Sequence, residues 1–133
     1  MNKEKYMFED TYAFSGFSVK NEVEAKEFYE IVLGIEVEST DMGLNLKIAD
    51  RDPVFVYQKD DHQPATYTIL NFVVDDIDAV VDALTEKGIE FELYDMPGIQ
   101  DEKGIMRGKA AKRGPDIAWF KDPSGNVLSI LCN

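Results

Sequence analysis

The chain has a single cysteine, Cys132, so no disulfide can form within it. That scarcity suits a reducing compartment, and a cytoplasmic setting is expected. No apolar run approaches the ~18 residues of a membrane-spanning helix, so no membrane association is expected. Met1 to Asp10 is charged and lacks an apolar stretch, so no secretory leader is expected either. Basic residues are outnumbered, 14 against 26 acidic ones, for a net charge of −12. The field of such a chain repels nucleic acid, and no basic stripe offsets it. A neutral or cationic small ligand is easier to accommodate.

Against these absences stands a strongly patterned sequence. At 133 residues it suits one domain, with length enough to bury a core without covalent staples. The last sixteen residues show the pattern best. An apolar run, Ala118-Trp119-Phe120, enters the turn Asp122-Pro123-Ser124-Gly125-Asn126, and a second, Val127 to Leu131, leaves it. Pro123 presets its own φ, and Gly125 takes φ > 0 without steric cost, so the stretch reads as a buried β-hairpin.

Residues 1–11 read as a mobile polar arm. Tyr12 to Val19 reads as a strand with Phe17 and Val19 on one face and Phe14, Gly16 and Ser18 on the other. Asn21 and Glu24 have the spacing of a capping box. The helix they open runs to Leu33, carries Ala25, Phe28, Tyr29 and Val32 on one face, and stops at Gly34. Strands are expected at Ile35–Glu38, Leu44–Ile48 and Val54–Gln58. After the linker Lys59 to Pro64 the pattern returns. Tyr67–Val74 is a strand. Asp75 or Asp76 caps a helix bearing Ile77, Val80, Val81 and Leu84, and Gly88 ends it. Strands follow at Ile89–Tyr94, Asp116–Lys121 and Val127–Leu131. Aligning Val19 with Val74 leaves Gly34 and Gly88 one residue out of register. The chain is therefore strand, helix and three strands, stated twice. The expectation is an α+β fold of two tandem βαβββ modules, about 12–58 and 67–131, whose curved eight-stranded mixed sheet surrounds a central cavity.

Three stretches resemble a known family. They are Phe17-Ser18-Val19 running into Ala25-Lys26-Glu27-Phe28-Tyr29 and Leu33-Gly34; Asn71-Phe72-Val73-Val74-Asp75-Asp76-Ile77; and Trp119-Phe120-Lys121-Asp122-Pro123-Ser124-Gly125-Asn126. Their order and spacing resemble the vicinal oxygen chelate superfamily, the glyoxalase, bleomycin-resistance and extradiol dioxygenase group. The resemblance implies an incomplete barrel-like sheet and a homodimer whose hollow lies near or across the subunit interface. It leaves the reaction open, since one fold hosts many activities. It also implies four positions from which enzymes of the superfamily hold a divalent metal, and these fall here at Phe14, Val56, Ile69 and Ser129. Phenyl and aliphatic groups have no lone pair to donate, and one serine hydroxyl is a weak donor. No metal, cofactor or catalytic residue is therefore expected. His62 reads as a solvated linker residue.

The expected lining is instead aromatic and apolar with a few polar groups. The residues expected to bind a ligand are Phe14, Val56, Tyr67, Ile69, Asn71, Trp119 and Ser129. Arg107 is added from the long loop Asp95–Pro115, which holds five basic residues, Lys103, Arg107, Lys109, Lys112 and Arg113. A loop of that length is a candidate lid. The leading reading is metal-free capture of a planar or aromatic small molecule. The alternatives are a metal-dependent glyoxalase-like lyase, isomerase or dioxygenase, and a non-catalytic interaction subunit with a filled cavity.

Overall fold

The computed structural model describes residues 6–133. The first five residues of the expected arm lie outside the described residues. The elements are β1 (Gly16–Val19), α1 (Glu22–Glu27, continuing as a π-helical turn over Phe28–Val32), β2 (Glu36–Ser39), β3 (Leu44–Lys47), β4 (Val54–Gln58), β5 (Thr68–Val73), α2 (Ile77–Glu86), β6 (Met106–Arg107), β7 (Asp116–Lys121) and β8 (Val127–Cys132). The α+β class and the tandem βαβββ modules hold. The eight strands divide into two four-stranded mixed sheets of the same topology, β1-β4-β3-β2 and β5-β8-β7-β6. In each, the first strand pairs in parallel with the last, and the other pairings are antiparallel.

The helix starts follow from side-chain capping. Asn21 Oδ1 accepts from Glu24 N (2.8 Å), and Asp76 Oδ1 accepts from Ala79 N (3.1 Å). Each satisfies a backbone donor that a helix start leaves without a partner. Gly34 and Gly88 follow the helices with φ of 72° and 95°. The first helix departs from the expected α-helix after Glu27. Leu33 N reaches back five residues to Phe28 O (3.0 Å), the spacing of a π-turn. The wider turn seats the adjacent Phe28 and Tyr29 inward together, edge to face at 5.2 Å.

Both helices lie against the inner faces of the sheets, and one continuous core results. It joins Val19, Tyr29, Leu44, Leu46 and Val56 of the first module to Val81, Phe120, Leu128 and Ile130 of the second. The modules are bonded through the hairpin turn. Asp122, 5% exposed, accepts four hydrogen bonds. Tyr29 Oη (2.7 Å) and Asn126 Nδ2 (3.0 Å) donate to Oδ2, while Ser124 N (2.9 Å) and Asn126 N (2.9 Å) donate to Oδ1. Asn126 Nδ2 also donates to Ser18 O on β1 (2.9 Å). Burial, then the neighbouring Asp122 charge, drives the Tyr29 phenol far above its usual range, so it stays a neutral donor.

Three expected elements are corrected. The first strand begins at Gly16 rather than Tyr12, because its one neighbour, β4, supports it only from there. No strand forms over Ile89–Tyr94, although Glu92 N donates to Trp119 O on β7 (2.8 Å); Met106–Arg107 is the strand that pairs with β7, at Ile117 and Asp116. The cause is Gln100. Its amide accepts from Tyr94 N (2.6 Å) and donates to Glu92 O (3.0 Å), occupying backbone groups that a ladder would use. A β-bulge interrupts β5, since Thr68 and Leu70 oppose the consecutive residues Val127 and Leu128.

Candidate functional site

Each sheet has one face on the core and one facing away from the helices, and strand register assigns residues to each. In the first module Phe17 pairs with Val56 in parallel, so Val56 faces the core with it and is fully buried. Val56 is thus not a site residue, contrary to the expectation from sequence. Its neighbours Phe55 and Tyr57 take the open face, with Gly16 and Ser18. There Phe14 meets Phe55 edge to face (6.4 Å), and Phe55 stacks on Tyr57 (5.7 Å). Gly43 is required by this ladder: a Cβ there would lie 2.5 Å from Val56 O and 3.1 Å from the Phe55 ring. Asn45, Glu38, Lys47 and Glu36 complete the face by register. Lys47 lies between Glu36 (3.8 Å) and Glu38 (3.7 Å), so this end of the face is net acidic.

In the second module the register brings Asn71, Ser129 and Trp119 side by side on the open face, as expected. Ser129 Oγ donates to Asn71 Oδ1 (2.5 Å). The Trp119 indole N–H donates to Thr68 Oγ1 (3.1 Å), and its ring meets Tyr94 edge to face at 5.4 Å. One hydrogen bond and one ring contact thus hold the indole in a fixed orientation before any ligand arrives. Strict alternation from Asn71 selects Ile69 and Tyr67 for this face. The bulge overrides it: Thr68 shares the face, Ile69 packs against the core, and Tyr67 lies just outside the strand, 70% exposed. No sequence signal marks the bulge. Phe55, Tyr57 and Thr68 are the residues that sequence reasoning missed, and knowledge of the β1–β4 register would have found the first two.

Arg107 does not serve the open face. Its guanidinium is forked onto Asp78 (2.8 and 3.0 Å) and Asp101 (2.9 and 3.0 Å), and Lys103 joins Asp78 and Asp82 at 2.9 Å. The long loop is therefore strapped to α2 rather than poised as a lid. Hydrogen bonds from Arg107 first, then Lys103, hold the Asp78 carboxyl well below its ordinary value. A depressed folded-state pKa contributes stability that is complete above the ordinary carboxylate value of ~4 and is lost as pH falls below it. We expect the protection factors of amides over residues 95–115, taken relative to the intrinsic exchange rate at each pH, to fall below about pH 4 ahead of global unfolding. Arg107→Met should reduce that pH dependence, leaving the smaller part that Lys103 supplies. Salt should soften it, because the Asp78 side chain is 47% exposed.

His62 is likewise not a solvated linker residue. Nε2 donates to Ser124 O (3.1 Å), which only accepts, so in the neutral ring Nδ1 accepts from Ser18 Oγ (2.7 Å). The histidine closes the seam between β1 and the hairpin turn.

A model of the Glyoxalase/Bleomycin resistance protein/Dioxygenase superfamily matches residues 16–130. The chain belongs to that superfamily. Its solved relatives share the fold at low identity. A glyoxalase family protein from Bacillus anthracis is 20% identical over 98% of this chain and 99% of its own, with a TM-score of 0.67. TnmS3, an antibiotic binding protein from Streptomyces sp. CB03234, is 21% identical over 91% and 95%, at 0.61. FosX, a fosfomycin resistance protein from Listeria monocytogenes, is 15% identical over 92% of each chain, at 0.65. Among curated proteins none matches the chain.

The metal of the superfamily's enzymes does not fit these residues. Of the four equivalent positions, Phe14 and Ile69 offer carbon, Val56 faces the core, and the Ser129 hydroxyl is committed to Asn71. Among the described residues no three His, Cys, Asp or Glu side chains cluster as a metal set. Among them, too, no helix is long and apolar enough to cross a membrane.

Proposed function

We propose that this superfamily member captures a planar aromatic molecule, uncharged or cationic, without a metal and without turning it over. The observation that carries the reading is the Trp119–Asn71 pair: a fixed, half-buried indole plane beside an exposed amide that the fully buried Ser129 hydroxyl orients. Stacking on the indole supplies affinity, and the amide of Asn71 supplies a directional polar contact. The aromatic ladder Phe14–Phe55–Tyr57 supplies a second stacking surface, edged by Glu36 and Glu38. Phe14, Tyr57, Tyr67 and Tyr94 are 59%, 37%, 70% and 45% exposed, so both open faces are bare in a single chain. Bare aromatic faces favour a homodimer in which the ladder of one copy faces Trp119 of the other, with the ligand between them. The antibiotic-binding description of TnmS3 supports this class of ligand.

Calorimetry with three planar probes tests the reading: an acridinium cation, a neutral anthraquinone and a naphthalenesulfonate. The first two should bind stoichiometrically. The sulfonate should bind far more weakly, repelled by Glu36, Glu38 and the chain's net charge of −12. Preference for the anion, or a stoichiometric metal retained through dialysis, would overturn it.

A further inference from the structure

The core stops short at one end of the seam between the modules. Leu33, Ile35 and Ile48 of the first module and Phe72, Val80 and Ile130 of the second all belong to the core or pack against it. They also line a cleft of about 310 Å³, and all but Ile130 are only half-buried. At the ~30 Å³ that a liquid water occupies, the cleft has room for about ten non-hydrogen atoms. Two turns of helix, about 10 Å across and 11 Å long, need more than twice that volume. The size therefore selects a small molecule over a segment of protein.

The first-module wall carries unusual backbone. The π-turn that ends α1 brings Leu33 and Ile35 to the cleft, with Leu33 N donating to Phe28 O (3.0 Å) and Ile35 N to Tyr29 O (2.9 Å). Ala49, also in the wall, holds φ of 53°, a conformation costly for a residue with a Cβ. Such departures gather at binding sites.

The lining also fixes the chemistry of the occupant. The two charged lining residues, Glu36 and Lys47, lie 3.8 Å apart and offset each other. Among the described residues no buried side-chain nitrogen or oxygen lacks a partner, so no buried polar side chain waits there for a ligand. The walls are aliphatic except for Phe72, so no flat partner is called for. The cleft lies behind the Trp119 site. Phe72 pairs with Ile130 one residue along from the Asn71–Ser129 pair, and successive side chains point to opposite faces of a sheet.

We infer that the seam between the modules is a second ligand site, separate from the Trp119 face, for a compact, uncharged, hydrocarbon-like molecule of about ten non-hydrogen atoms. Its occupant covers apolar side chains of both modules that are otherwise half-bare to water.

Camphor is the probe that tests it. It is an uncharged, non-planar bicycle with no flat face to stack on an indole, and its one carbonyl can stay in water at the mouth. Methyl-resolved NMR on the full chain should show it shifting the methyls of Ile35, Ile48 and Val80, with a Kd below about 1 mM. The Trp119 indole signal should stay in place. Camphorsulfonate, the same skeleton carrying a charge, should bind at least about tenfold more weakly. Val80→Phe from one wall, or Leu33→Phe from the other, fills the cleft. Either should weaken camphor binding at least about tenfold and leave the affinity for the acridinium probe unchanged. Wild-type methyls that do not move at about 5 mM camphor overturn the inference. So do shifts confined to the Trp119 indole, or a filled variant that binds camphor as the wild type does.

Discussion

Replacing Asp122 with alanine is expected to destabilise the fold by about 3–5 kcal/mol, read as a fall in the urea midpoint with the slope unchanged. The carboxylate is 5% exposed and accepts from Tyr29 Oη, Asn126 Nδ2, Ser124 N and Asn126 N. Removing it leaves donors from two modules facing a void, and a buried donor without a partner costs about 1–3 kcal/mol. Tyr29→Phe separates the contributions. It deletes one donor and leaves the carboxylate three others, so about 1.5–3 kcal/mol is expected, the range for a hydrogen bond to a charged group. If Asp122→Ala cost no more than Tyr29→Phe, the turn would be a local feature rather than the bond between modules. The Pro123-Ser124-Gly125 sequence makes the turn. The carboxylate is what anchors it to α1 and, through Asn126, to β1.

Trp119→Ala should weaken binding of the acridinium probe by about 2–3 kcal/mol, a loss of roughly 30–150-fold, with the fold retained. The indole is half-buried, and its core-facing neighbours Ala118 and Phe120 carry the packing of β7, so its removal falls on the site more than on stability. Its pose is fixed by the bond to Thr68 Oγ1 and the edge contact with Tyr94, so little ordering cost is left for binding. Thr68→Val should therefore weaken binding modestly by freeing the indole, without removing any ligand contact. Asn71→Ala should cost about 1 kcal/mol of affinity, because it removes one polar contact and leaves the stacking plane. Calorimetry across these three variants gives the order Trp119, Asn71, Thr68. A Trp119→Ala protein that binds the probe normally would move the site to another surface.

The pairing of Trp119 with Ser129 was legible from the chain alone, because a tight turn at Asp122–Asn126 fixes hairpin register residue by residue. The face of β4 was not. No tight turn joins β1 to β4, so their parallel register follows from how α1 packs, and that register turns Val56 inward and Phe55 and Tyr57 outward. Arg107 looked free because a glycine-rich loop gives no sign of its partners. Asp78 lies 29 residues earlier, on α2, and only folding brings the two together.

What the sequence determined by itself was the doubled βαβββ plan, since alternation, helical period, caps and turn residues act over a few neighbours and agree with one another at most elements. Tertiary structure alone decided which side chains share an open face. Parallel register, a bulge at Ile69 and the capture of Tyr94 and Glu92 by Gln100 each depend on contacts between segments distant in the chain, and no local pattern encodes such a contact.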